Sequence, residues 1–391
     1  MSIVLFSIAS SLHDDLPAIG EDAFIEDIQR ELGEHFVVKD GFADYYDCPE
    51  KLIYIRTGGS EEFFKALNLK GDIRLLTSGK ENSLAAAMEI LSYVNSRGGR
   101  GEILHGTASE IAFRLKRPFP VGCPSDASDA SATVGKREWI RPLPVDLRLD
   151  GVRIGVIGAP SDWLIASGVD YSKACSRLGV EMVDIPIEEL VDEIKKSDCD
   201  LRSFQGSEAV YETLKIIAAK YALNALTLRC FDLLSLVGNT GCLALARLNS
   251  EGIVSSCEGD IPALITMLIA AKLTGCPGFQ CNLSRISGDE LLFAHCTVPL
   301  SMVESYTYTT HFESGIGTAI KAELPLGKVT IFKVAPDLER MALIPAELVR
   351  NQSESGLCRT QVIVKVSGAA GYFLKESLAN HHIIVLGTLF D

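Results

Sequence analysis

Short apolar runs alternate with segments whose apolar residues recur every three or four positions through the first two thirds of the chain. Residues 3–8, 52–56, 73–77 and 102–105 have the length and composition of buried strands. Between them, 23–32 and 83–94 carry the period of an amphipathic helix. This alternation predicts βαβ units on a parallel sheet. A stretch rich in Pro, Ser, Ala and Asp over 116–137, extended by Pro142 and Pro144, has no period and predicts a linker. The alternation then restarts, with strands at 152–157, 181–185, 225–228 and 253–256 and helices near 163–178, over 207–221 and from 261. After about residue 285 strands dominate, at 291–296, 306–311, 328–334, 361–366 and 383–386. The predicted fold class is therefore α/β. Two Rossmann-like or flavodoxin-like α/β domains occupy 1–146 and 147–285, and a mainly antiparallel, barrel-like β domain occupies 286–391.

Charge narrows the function classes. Acidic residues outnumber basic ones 51 to 37, for a formal net charge of −14, and no basic run offsets this locally, so no nucleic-acid partner is expected. The best apolar run, 261–273, contains Lys272 and falls short of the about 20 residues a bilayer span requires, so it predicts a buried helix and no membrane partner. The N-terminal apolar run lacks a basic flank and a small-residue cleavage site, which predicts a first strand and a cytoplasmic protein. Eleven cysteines without a single C-x-x-C pair read as reduced, mostly buried thiols.

Three places in the sequence could carry chemistry. Arg56-Thr57-Gly58-Gly59-Ser60-Glu61 follows a strand, so Thr57, Gly58 and Gly59 are candidate substrate contacts, or else a tight turn in which Ser60 caps a helix. Gly155-Val156-Ile157-Gly158-Ala159-Pro160 lacks G-x-G-x-x-G, and no nucleotide cofactor is expected; Ser161 or Asp162 would cap the next helix. Asp232 follows one predicted strand, and Glu258 and Asp260 follow another, at the strand ends where open α/β sheets bind ligands. If the second strand persisted, Glu258 and Asp260 would face the same way. Carboxylates gathered like this repel one another unless a cation or a shared proton settles them. The plainer reading is a helix cap for Asp260 and an exposed turn for Asp232. Of only seven histidines, His295, His311, His381 and His382 stand beside predicted strands, where a hydrogen-bonded core role competes with a site role. Oxygen ligands with one imidazole suit Mn²⁺ or Mg²⁺ better than zinc.

Ser256-Cys257-Glu258-Gly259-Asp260, followed by an apolar helix and Leu273-Thr274-Gly275, resembles the metal-site segment of the L-fucose isomerase and L-arabinose isomerase superfamily. Cys230-Phe231-Asp232-Leu233 resembles the segment that supplies the first metal carboxylate there, with Asp232 where those families carry Glu. Ala379-Asn380-His381-His382 resembles the segment that supplies a metal imidazole. The resemblance spans roughly 225–391, and the absence of His from Gln280-Cys281-Asn282-Leu283-Ser284 sets the chain nearer the fucose type. It implies metal ligands Asp232, Glu258, Asp260 and His381, leaving open the choice between Glu258 and Asp260 and between His381 and His382. The implied cofactor is a divalent metal, Mn²⁺ first, with Mg²⁺ or Co²⁺ as alternatives. The implied reaction is aldose–ketose interconversion of a free sugar through a cis-enediol, with Asp232 and Asp260 as the catalytic carboxylates. His295 matches a family histidine near the substrate, and His311 and Arg359 are further candidate substrate contacts. A homo-oligomer, trimer or hexamer, is implied as well. Two other readings remain: a non-catalytic sugar-binding or assembly descendant, and a lyase or epimerase using enediolate chemistry on an acidic or phosphorylated substrate, whose phosphate Arg56, Arg229, Arg285 or Arg359 would meet.

Overall fold

The computed structural model describes residues 3–10, 16–117 and 139–390. The linker expected over 116–137 lies beyond residue 117 outside the described residues. The protein is α/β, with two parallel sheets and one large, mostly antiparallel sheet. Val4–Ile8, Val37–Val38, Lys51–Ile55, Ile73–Thr77 and Gly101–Leu104 form the first parallel sheet, in the spatial order second, first, third, fourth, fifth. Arg153–Ile157, Glu181–Ile185, Ala225–Leu228 and Val254–Cys257 form the second, in the order fourth, third, first, second. Both orders bring strand ends from different parts of the chain side by side, where ligands bind in such sheets.

The antiparallel sheet combines Phe279–Ser287, Glu290–His295, Gly327–Val334, Arg340–Gln352, Thr360–Lys365 and His382–Leu386. The first half of Arg340–Gln352 pairs with Gly327–Val334 and its second half with Thr360–Lys365, so the hydrogen-bond ladder returns on itself. Ile140–Pro142 adds an edge strand to this sheet by pairing with Met341 and its neighbours. Ser305–Thr309 and Ala319–Glu323 form a separate hairpin.

Three elements depart from the sequence expectation for visible reasons. The helix expected near 163–178 begins only at Tyr171, where Asp170 Oδ1 accepts from Lys173 N (2.9 Å), and the preceding residues make short turns. Phe279–Ser287 buries Phe279, Cys281 and Leu283 but also Gln280, Asn282 and Ser284, so its polar residues do not mark a solvent face. Arg340–Gln352 carries Pro345 and a register shift between Leu348 and Arg350, which breaks the two-residue period.

The helix Ile261–Thr274 shows why the apolar run at 261–273 is not a span. Every residue from Ile261 to Ala270 is buried, because one side packs on the second parallel sheet and the other on Gly327–Val334 and His382–Leu386. Thr266 Oγ1 donates to Pro262 O (2.6 Å) and accepts from Val334 N (2.9 Å), which stitches helix to sheet. Among the described residues no helix is long and apolar enough to cross a membrane.

The first parallel sheet is pinned to the antiparallel one by His105. Its Nε2 accepts from Ile286 N (3.1 Å), so the ring is neutral there and Nδ1 donates to Thr77 Oγ1 (2.8 Å). Burial above all, aided by the Arg285 charge, lowers its pKa to about 4. An unfolded histidine takes up a proton near pH 6.5, so this contribution to stability is complete above that pH and is lost as the pH falls towards 4. The loss expected between chemical denaturation at pH 7 and at pH 4.5 is about 2 kcal/mol, and His105→Gln should flatten the dependence across that window.

Candidate metal centre

Strand Val254–Cys257 ends before the carboxylates, so Glu258 and Asp260 do not share a strand face. The backbone instead turns through two left-handed residues, Glu258 (φ +66°) and Gly259 (φ +71°), and Asp260 caps the next helix through Ala263 N (2.7 Å). A β-carbon on Gly259 would lie 2.4 Å from Ala159 O and 2.6 Å from Pro160 Cα, so only glycine fits. A left-handed glutamate costs about 1–3 kcal/mol, the kind of strain that gathers at functional sites. Ser161 N donates to Glu258 O (3.0 Å) and Gly259 N to Leu228 O (3.0 Å), holding the turn.

The turn delivers Glu258 to two imidazoles. Its Oε1 lies 3.5 Å from His381 Nε2 and 3.7 Å from His295 Nε2, and one ligand atom from each of the three lies within 4.8 Å of the others. Every partner behind these atoms is set. Trp163 Nε1 donates to Glu258 Oε2 (2.7 Å), and His381 Nδ1 donates to Asp260 Oδ2 (2.8 Å). His295 Nδ1 bonds Thr297 Oγ1 (2.9 Å), leaving Nε2 towards Glu258. His381 Nε2 is fully buried and has no hydrogen-bond partner among the described residues. A divalent cation fits this set: one carboxylate, two imidazoles turned by their opposite nitrogens, and a buried ring nitrogen, His381 Nε2, with no hydrogen-bond partner among the described residues.

The electrostatics agree. Burial works against the Glu258 carboxylate, yet the His381 charge, with the two imidazoles close by, outweighs it and holds the group well below its usual range. Burial likewise lowers His381, but Glu258 and Asp260 together carry it to about 10. Asp260 is desolvated, and Lys333 Nζ (3.8 Å) with His381 keeps it charged. The site thus holds positive charge in place between carboxylates, which is the place a metal ion takes.

Of the residues named from sequence, the structure gathers Glu258, Asp260, His295 and His381. Asp260 meets His381 through the nitrogen opposite the one facing Glu258. Asp232 opens the short helix Asp232–Leu236 and accepts from Arg229 Nε (3.1 Å), whose guanidinium also pairs with Asp162. His382 turns into the core, donating from Nδ1 to Asn380 O (2.7 Å) and accepting at Nε2 from Tyr372 OH (2.8 Å). Burial, then the Lys333 charge, lowers its pKa to about 3.

A cavity opens on Glu258, and Gly58, Gly59, Trp163 and Phe231 are among its walls. A deeper one of about 290 Å³ adjoins it, lined by His295, His311 and four cysteines among others. Glu258, Glu313, Asn82 and Asn282 border both. Thr57 shapes the Gly-Gly turn, with Oγ1 accepting from Ser10 N (2.8 Å) and its carbonyl from Ser60 Oγ (2.9 Å). Arg359 is tied to Thr310 O (2.7 Å), at the base of the loop that carries His311.

Sequence reasoning missed Glu61, Asn82, Trp163, Asn282, Glu313 and Asn380. Glu61, Asn282 and Asn380 stood inside segments already singled out, whereas Glu313 was not read as a candidate. Glu61 Oε2, Asn82 Oδ1, Asn282 Oδ1 and Asn380 Oδ1 are buried with no hydrogen-bond partner among the described residues. Buried polar atoms are normally satisfied, so a wall of such acceptors suits a ligand rich in hydroxyl donors.

Comparison with curated proteins gives the same direction. The chain is similar to a protein named sulfoquinovose isomerase from Priestia aryabhattai, and to one of the same name from Priestia megaterium. Each is 27% identical over 225 residues, covering 50% of this chain and 50% of the relative. The sulfoquinovose isomerase of Alkalicoccus urumqiensis is 23% identical over 224 residues, 50% of this chain and 51% of its own. The match therefore spans about half the length of these relatives. No family model matches the chain.

Proposed function

We propose that the chain is an aldose–ketose isomerase of the fucose and arabinose isomerase kind, acting on a free sugar through a cis-enediol, with a divalent cation held by Glu258, His295 and His381. The observation that carries this reading is the buried carboxylate–imidazole trio opening onto a cavity of unpartnered oxygen acceptors. Relatives named as sugar isomerases support it. A bound Mn²⁺, or Mg²⁺ or Co²⁺ in its place, would supply Lewis-acid polarisation of the sugar's carbonyl and adjacent hydroxyl.

The protein's own groups do the rest. Asp260 fixes the His381 ring, and Trp163 fixes one Glu258 oxygen. The amides of Asn82, Asn282 and Asn380 receive hydroxyls, while Trp163 and Phe231, 4.9 Å apart edge to face, limit water at the mouth. Isomerisation then needs a group that takes the proton from the carbon beside the carbonyl and returns it to the neighbouring carbon.

The test starts with metal analysis of protein purified without chelator. Mn²⁺ at a hundredfold excess over its Kd is expected to raise stability by about 2.7 kcal/mol, read as a higher melting temperature. A panel of aldopentoses, aldohexoses and sulfoquinovose, followed by NMR, should then show one converted to its ketose. Absence of any metal effect would sink the cation site. Bound metal with every sugar unconverted would favour the sugar-binding descendant.

A further inference from the structure

Three carboxylates line the outer cavity, Glu61, Glu258 and Glu313. Glu258 belongs to the cation site. The remaining carboxylates near the turn are occupied: Asp232 with Arg229, and Asp260 with His381 and the helix cap. We propose that Glu313 is the group that carries the proton between the two sugar carbons, an inference that rests on the isomerase reading above.

Placement separates Glu313 from Glu61. Glu61 lines the outer cavity, whereas Glu313 borders both cavities and so faces the space that Glu258 and His295 share. Glu313 sits on the loop joining Ser305–Thr309 to Ala319–Glu323, and that loop is held firmly. Gly315 N donates to His311 O (2.9 Å), His311 N to Ile316 O (3.0 Å), and His311 Nδ1 bonds Ser314 Oγ (3.0 Å). Gly317 (φ +64°) is pressed against Thr240, where a β-carbon would come within 2.5 Å of the hydroxyl. From the first parallel unit, Asn82 Nδ2 donates to Glu313 Oε1 (2.8 Å), while no described residue donates to Oε2. One oxygen is anchored and the other is left for substrate.

The charge setting suits two-way transfer. Burial foremost, then the Glu258, Cys296 and Glu81 charges, push the carboxyl up to about 8 against the Asn82 bond. A group titrating there both accepts and returns protons near neutral pH. In the forward direction the C2–H bond breaks and Glu313 takes the proton. The electron pair forms the C1–C2 double bond of the cis-enediol as the carbonyl oxygen takes a proton from water. Collapse of the enediol then draws the proton held on Glu313, exchanged in part with solvent, onto C1, the O2 proton passes back to water, and Glu313 is restored. No oxidant or reductant is consumed.

The experiment uses the full chain loaded with Mn²⁺ in D₂O, on the aldose that wild type converts fastest, with deuterium entry at the exchanging carbon read by NMR. Glu313→Gln keeps the Asn82 bond and the side-chain shape. It should lower kcat and deuterium entry by about 10²–10⁴-fold with Mn²⁺ affinity and melting temperature unchanged. Glu313→Asp, a proton carrier on a shorter arm, should retain part of the exchange. Exchange at the wild-type rate in Glu313→Gln overturns the proposal, as does a loss of Mn²⁺ affinity that parallels the loss of kcat. Should Glu313→Gln not fold, Glu313→Asp decides alone, and a wild-type rate there overturns it. A wild type that binds Mn²⁺ but exchanges no sugar brings down the isomerase reading itself, and this inference with it.

Discussion

Glu258→Gln is expected to remove metal binding and, with it, sugar turnover, while the chain still folds. Gln has the same shape and can still accept from Trp163 Nε1, so the left-handed turn keeps its hydrogen bonds. What disappears is the only carboxylate oxygen within reach of both His295 Nε2 and His381 Nε2 among the described residues. Removing a group that merely orients a ligand costs about 10–100-fold in metal affinity, so loss of the ligand itself should exceed that range. Asp260→Asn, which weakens the hold on His381 Nδ1, should fall inside it. Calorimetric titration with Mn²⁺ ranks the variants. Wild-type affinity in Glu258→Gln would place the cation elsewhere.

Gly259→Ala should damage stability and metal binding together. The added carbon meets Ala159 O at 2.4 Å and Pro160 Cα at 2.6 Å, and both are backbone atoms that no rotamer change can move. The left-handed conformation adds a cost of its own for any side chain. Together about 2–4 kcal/mol of stability should be lost, seen in denaturant unfolding. The relief available is to push the 258–260 turn away from the 159–161 turn, which carries Glu258 away from His381. Metal affinity should therefore fall alongside stability, and a variant that kept both would show that the turn yields more easily than its contacts indicate.

Most parallel strands were legible because burial on both faces leaves largely apolar runs, and Ile73–Thr77 and Ala225–Leu228 match their expected limits; Glu181–Ile185 matches too, although only Ile185 of it is buried. The carboxylates of the 256–260 segment were legible because strand ends in such sheets are where ligands sit. The internal geometry of that segment was not. Its direction depends on Gly259 meeting the 159–160 backbone, a contact between residues about a hundred positions apart. Phe279–Ser287 was hidden by buried polar residues, of which Asn282 lines the cavity, and Arg340–Gln352 by a proline and a bulge. Glu313 left no trace at all, since a glutamate in a hairpin loop looks like any solvated charge until Asn82, from 231 residues earlier, is seen to reach it.

That long reach has a consequence for how the protein comes into being. Glu89, on the helix Ser83–Ser96, accepts from Ala166 N (2.7 Å), Ser167 Oγ (3.0 Å) and Asn380 N (3.0 Å), gathering two remote stretches of chain onto that helix. Contacts this distant in sequence are closed late and slowly when a chain folds. The pocket thus exists only once all these stretches are in place, and is not the product of any one segment. A cation able to bind only after docking leaves the climb to the folded state almost untouched and acts on the descent, as a latch on a finished assembly.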